Sequence, residues 1–151
     1  MRADVVSRQQ QAIRDNGWDA ILACSPENFA YVTGFMSPTQ PLMRWRHAMA
    51  LVTADGKCSL LVVDMEASTI RAKAPAADIH IWKEFSFDCM QELASLLKRQ
   101  GLASSMIGLE TDYLPAADFG NLIELLPAAR FVPAQAALAR MRQIKTPQEI
   151  A

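Results

Sequence analysis

The chain has no charge of one sign in excess, few metal-binding side chains and no long apolar run. Its 15 Lys and Arg against 16 Asp and Glu leave a formal net charge of −1. No basic stripe stands out, so nucleic acid is not an expected partner. No apolar run approaches the ~18 residues of a membrane span. The opening Met1-Arg2-Ala3-Asp4 lacks the apolar region of a signal peptide. No membrane partner and a cytoplasmic location are therefore expected. The 3 cysteines, Cys24, Cys58 and Cys89, are odd in number and widely spaced in apolar stretches. They read as reduced core residues. With no CxxC and only His47 and His80 as histidines, the donors of a structural zinc site are missing. Also missing are GxGxxG, GxxxxGK[ST], GxSxG and HExxH, and with them dinucleotide, P-loop, serine-hydrolase and zincin chemistry. Ser25 lies between Cys24 and Pro26, not on a nucleophile elbow. Asp64 with Glu66, and Glu110 with Asp112, each read as a helix cap plus a solvated residue rather than as a cation site. No catalytic residue, metal ligand or cofactor is assigned within the chain.

What is present is globular: 51% apolar and 21% charged residues over 151 positions. That suits one domain, burying about two thirds of its unfolded surface. Residues about 4–16 read as a polar helix with Val5, Val6, Ala12 and Ile13 on one side, stopped by Asn16-Gly17. Trp18 to Ala23 is a buried strand. Ser25-Pro26-Glu27 opens a short helix that Gly34 ends. Residues 34–46 form a loop. Ala48–Thr53 and Cys58–Val63 flank Ala54-Asp55-Gly56-Lys57 and make a hairpin. Asp64 is read as the cap of a helix over 65–73, ended by Pro75. Ile79–Trp82 is a strand. Asp88 with Gln91 opens a strong helix, with Met90, Leu93, Ala94 and Leu97 in phase, stopped by Gly101. Met106–Glu110 is a strand. Pro115 starts a helix carrying Phe119, Leu122, Ile123 and Leu126, ended by Pro127. Phe131-Val132 is a last strand, followed by a small helix over about 134–141. Strands alternating with helices predict an α/β fold. We expect a mixed, mostly parallel sheet of about six strands, helices on both faces and one β-hairpin, in three layers.

Near the end, Thr146, Pro147 and Glu149 carry the signature of a helix start. Threonine accepts from first-turn amides, proline suits N1, and Glu149 reaches back to the Thr146 amide. The expected organisation is one domain over 1–145, with 146–151 beginning another.

Two segments carry a resemblance. Asp19-Ala20-Ile21-Leu22, Ser25-Pro26-Glu27-Asn28 and Tyr31-Val32-Thr33-Gly34-Phe35 form the first. Arg142-x-Ile144-Lys145-Thr146-Pro147-x-Glu149-Ile150 forms the second. Together they resemble the N-terminal domain of the creatinase/prolidase/aminopeptidase P family, the pita-bread hydrolases, over essentially the whole chain. The resemblance implies a creatinase N-terminal-like, three-layer domain. It implies that catalysis belongs to a C-terminal pita-bread domain, where the peptidases hold two divalent metal ions (Mn, Co or Zn) with two aspartates, a histidine and two glutamates. The partners implied are that catalytic domain, a second copy in a homodimer and a small peptide substrate.

In the family the N-terminal domain overhangs the partner subunit's active site, and the loop leading into the hairpin supplies residues to it. Here that loop ends Met43-Arg44-Trp45-Arg46-His47. Arg46 stands where creatinase-like members place a substrate-binding arginine, and a guanidinium fork suits a carboxylate. Trp45 can close over a substrate face or stack on a cation. Arg44 and His47 complete the candidate substrate-binding set. Creatinase places an aromatic and a small residue before this arginine, where Arg44 and Trp45 stand here. The implied function is the non-catalytic lobe of a Xaa-Pro dipeptidase or aminopeptidase P. The alternatives are the same lobe on a creatinase-like C–N hydrolase and a free-standing α/β binding module. Some dimerisation of the isolated domain is expected, because the face that docks a catalytic domain is apolar.

Overall fold

The computed structural model describes residues 2–150. Its elements are α1 (Ala3–Asn16), β1 (Ala20–Ala23), α2 (Pro26–Thr33), β2 (Met49–Thr53), β3 (Cys58–Val63), α3 (Ala67–Lys73), β4 (Asp78–Trp82), α4 (Cys89–Arg99), β5 (Met106–Leu109), α5 (Ala116–Leu125), β6 (Arg130–Pro133), α6 (Gln135–Gln143) and α7 (Pro147–Ile150). Six strands form one sheet in the order β4-β3-β2-β1-β5-β6. β2 pairs antiparallel with β1 and with β3, and the other three pairs are parallel. β2 therefore runs against all the others.

The apolar runs are continuous because both faces of the sheet are covered. Ala20, Leu22, Met49, Leu51, Leu61, Val63 and Trp82 point to the layer of α4 and α5. Ile21, Ala23, Ala50, Val52, Leu60 and Val62 point to the layer of α1, α2, α3 and α6. This is the mixed three-layer α/β sandwich expected from the sequence.

Three local readings need correction. Trp18 is not in a strand. Gly17, at φ 65°, bonds back to Arg14, and the Trp18 amide donates to the Ile13 carbonyl at 3.0 Å. This is a Schellman closure, and it consumes the residue that would have begun the strand. Trp18 then lies on β5, where a Cβ on Gly108 would come within 2.8 Å of its ring. Only glycine allows that approach. Asp64 opens a 3₁₀ turn, not the helix itself, and its carboxylate accepts from the Met65 amide. Asp88 does not cap α4 with its side chain. Its carboxylate accepts from the Lys83 amide instead, closing the turn after β4.

Two local readings are formed as drawn. The Ser25 hydroxyl accepts from the Asn28 amide, with Pro26 at N1 of α2. Thr146 and Glu149 make reciprocal bonds: the Thr146 amide to Glu149 Oε2 at 2.8 Å, and the Glu149 amide to Thr146 Oγ1 at 3.2 Å.

The direction of β2 places the candidate site. The five co-directional strands end at the edge where β2 begins. In open α/β sheets the carboxyl ends of the strands are where ligands bind. The loop before β2, the turn after β3, the turn after β4 and the end of β5 all meet there.

Candidate functional site

The loop before β2 is held down by groups remote in sequence. Glu66 is buried just after β3 and reaches across to the loop. It accepts from the Ser37 hydroxyl at 2.7 Å, the Thr39 amide at 2.7 Å and the Thr39 hydroxyl. Gln40 is fully buried and donates to the Cys24 and Ala48 carbonyls. Glu66→Ala is expected to cost about 1–3 kcal/mol, the penalty for stranding these donors. It should also speed tryptic cleavage after Arg44 and Arg46. Unchanged cleavage kinetics would show that Glu66 does not restrain the loop.

The four candidate residues lie side by side at the end of this loop but face different ways. Arg44 donates to the Tyr113 carbonyl at 3.2 Å and its guanidinium sits 5.3 Å over the Tyr113 ring. Burial pushes the Tyr113 phenol above its usual pKa, against the pull of Arg44. Trp45 is 56% exposed. Arg46 donates through Nε to Glu84 Oε1 at 2.6 Å, with both side chains mostly enclosed. Among the described residues that is the one hydrogen bond of the Arg46 side chain, so the Nη end of its fork is unengaged. His47 faces inward and is buried. Its Nε2 lies 2.9 Å from Asp118 Oδ2, and Trp82 Nε1 donates to its carbonyl at 2.9 Å. The structure thus brings Arg46 and Trp45 to one edge and turns His47 into the base beneath them.

Sequence reasoning missed the acids that organise this edge. Glu84 sits in the turn after β4 and anchors Arg46. Glu110, at the end of β5, was read as a cap or a solvated residue together with Asp112, as Glu66 was with Asp64. Glu66 and Glu110 are both buried. Glu110 accepts from the Cys24 amide, from the Ser25 amide at 2.8 Å and from Asn28 Nδ2. Its negative charge stands at the positive end of α2 and fills the place an anionic ligand would take.

Large apolar side chains stand out from the same edge. Phe85 is 87% exposed, Leu42 81%, Phe87 77% and Met65 54%. Glu84 bonds to Arg46 and Glu66 to Ser37 and Thr39, so the two turns that carry Phe85, Phe87 and Met65 adjoin the loop that carries Leu42 and Trp45. Lone exposed apolar residues are ordinary, but a group on one rim marks a contact surface.

None of the three cysteines is an activated nucleophile. Burial pushes the Cys24 and Cys89 thiols well above their usual range, and Cys58 up to about 12. All three stay protonated near neutrality. Cys24 and Cys89 are buried as expected, whereas Cys58 is only half-buried. His80 is also half-buried, between Asp78 Oδ2 at 3.0 Å and Arg99 Nη2 at 3.0 Å. Among the described residues no three His, Cys, Asp or Glu side chains are grouped so as to hold a metal ion, and no helix is long and apolar enough to cross a membrane. A pair of divalent ions therefore has no donor set among the described residues.

A three-layer α/β domain whose second strand runs against the other five is the fold class that this chain shows. The pattern of the Creatinase/Prolidase N-terminal domain family matches residues 6–144. The chain belongs to that family. No curated protein matches the sequence. Among solved structures, a Xaa-Pro dipeptidase from Bacillus anthracis superposes with a TM-score of 0.76 at 20% identity, over 97% of this chain and 37% of that one. This chain therefore spans little more than a third of that protein's length. A proline dipeptidase structure from Streptococcus pneumoniae gives 0.76 at 21% identity, over 93% of this chain and 98% of that one. The creatinase/prolidase N-terminal domain of a Streptococcus pyogenes X-Pro dipeptidase gives 0.73 at 17% identity, over 93% and 99%. At these identities the likeness is one of fold.

Proposed function

We propose that this domain is the non-catalytic N-terminal lobe of a Xaa-Pro dipeptidase-type metallohydrolase. In this reading it is joined to its own C-terminal catalytic domain, which holds the divalent metal pair and works in the cytoplasm. Two copies of the parent dimerise, and the lobe covers the partner subunit's active site with the edge that carries Arg46. The observation that carries the reading is the family match over residues 6–144, together with neighbours whose names are dipeptidases and prolidases.

The geometry supports a role for each residue. Glu84 holds Arg46 by Nε and leaves the Nη end for the carboxylate of a small peptide, which a planar fork binds at two points. Trp45 offers an apolar wall. Arg44, over Tyr113, adds positive charge at the rim. His47 braces the segment from below. The apolar rim of Leu42, Met65, Phe85 and Phe87 is the contact with the second copy.

The test is steady-state kinetics of the parent enzyme on a Xaa-Pro dipeptide. Arg46→Ala is expected to lower kcat/KM about 10–150-fold, the loss of one charge-assisted hydrogen-bonded contact of about 1.5–3 kcal/mol. Sedimentation of the same proteins should show dimers. Unchanged kinetics would remove Arg46 from the substrate site, and a monomeric active enzyme would remove the covering role.

A further inference from the structure

Two arginines of α1 and its lead-in reach the far end of the chain. Arg2 donates through Nη1 to Glu149 Oε1 and through Nη2 to Thr146 Oγ1, each at 3.2 Å. The same Nη2 contacts Asp4 Oδ2 at 3.2 Å, and the guanidinium carbon lies 5.6 Å over the Tyr31 ring. The Arg2 amide is itself fixed on the Val32 carbonyl at the end of α2. Arg8 reaches the Met141 carbonyl at 3.1 Å and the Ile144 carbonyl. The Tyr31 hydroxyl donates to the same Met141 carbonyl at 3.0 Å. These carbonyls belong to the last turn of α6 and the residue beyond it, which a helix leaves without intrahelical partners. Arg8 also supplies a cation at the negative end of α6.

These contacts are disproportionate to the element they hold. α7 spans only Pro147–Ile150. A single helical turn has no stability of its own, because nucleation costs more than its few bonds return. The capping box supplies part of what is missing. The rest comes from Arg2, which binds both members of that box at once. The Thr146 amide, and after it Arg2, hold the Glu149 carboxyl below its usual pKa.

We propose that Arg2, Arg8 and Tyr31 form a clamp that fixes the direction in which the backbone leaves the α/β body at Thr146. Arg8 and Tyr31 close the end of α6. Arg2 then seats the start of α7 against α1 and α2, so the two helices meet at a set angle. A segment attached beyond α7 leaves along one line and does not swing about Lys145. None of these residues lies at the edge that carries Arg46, so the clamp stands whether or not the functional proposal does.

The test is amide hydrogen exchange on this chain, read residue by residue by NMR. The proteins are wild type, Arg2→Gln, Glu149→Gln and the double variant. Glutamine at 149 can still make the capping-box bond, so that substitution removes charge without removing the cap. Each single variant is expected to speed exchange at Thr146, Glu149 and Ile150 about 2–5-fold, the range of one partly exposed ion pair. The double variant should be no faster than Arg2→Gln alone, since that substitution already removes the ion pair that Glu149→Gln breaks. Amides of β2 and β3 should stay at wild-type rates. Unchanged rates at 146–150, or effects of the two substitutions that multiply, would overturn the clamp. If Arg2→Gln loosens the whole domain, Glu149→Gln alone decides by the same criteria.

Discussion

Glu110→Ala is expected to remove about 3–5 kcal/mol of stability, because each buried donor left unpaired costs about 1–3 kcal/mol and three are stranded at once. Glu110 is buried at the end of β5 and receives the Cys24 and Ser25 amides and the Asn28 side-chain amide. These donors lie where β1 turns into α2. The carboxylate therefore sews the β1–α2 turn to β5, and it meets the positive end of a helix as well as the individual N–H groups. Alanine leaves a cavity into which water enters poorly, so little of the loss is recovered. Against a typical domain stability of about 5–15 kcal/mol, the change is visible as a large fall in urea midpoint at constant slope. Glu110→Gln should fall between the two: its oxygen still accepts, but its amide group turns a donor toward donors. A Glu110→Ala protein within 1 kcal/mol of wild type, on the scale of an ordinary surface substitution, would mean that solvent already satisfies this turn.

Glu110 also shows where reading from sequence stopped. Elements whose partners are close in sequence were legible. The Gly17 stop, the Ser25-Pro26 start and the Thr146–Glu149 box each close within five residues. The six strands were legible because burial on both faces makes them continuous apolar runs, and their alternation with helices implied the layers. The acids were not legible. Glu110 bonds a residue 86 positions away, Glu66 one 29 away and Glu84 one 38 away. An isolated carboxylate at a strand end reads as solvated unless the strand order is known, and that order puts the ends of β1, β3, β4 and β5 beside one another. Asp88 fails for the opposite reason. Its position before a helix suggests a cap, but the Lys83 amide across the turn competes for the carboxylate and takes it. For the candidate site, the resemblance picked out Arg46, Trp45, Arg44 and His47 as neighbours in sequence. Which of them face outward was set by Glu84, Asp118 and Trp82, all remote.

Trp82 connects the core to that edge, and Trp82→Ala is the second large effect expected. Its ring is buried at the end of β4, on the face covered by α4 and α5, and its Nε1 donates to the His47 carbonyl at 2.9 Å. Truncating a buried tryptophan costs about 3–5 kcal/mol. Here the cavity also opens beneath His47, one residue from Arg46. Trp82→Phe separates the two contributions. It keeps most of the apolar volume and loses the N–H, so it should cost only about 1–2 kcal/mol, the price of an orphaned carbonyl and a smaller ring. If the tether sets the loop, Trp82→Phe should still speed tryptic cleavage after Arg44 and Arg46 in a protein that is otherwise stable. If cleavage tracks global stability across the wild-type, Phe and Ala proteins, the indole supports the loop only by filling space. In the first case the orientation of Arg46 has two supports, Glu84 on its guanidinium and Trp82 on the backbone beside it. A substitution at either would then weaken whatever Arg46 binds without touching the ligand.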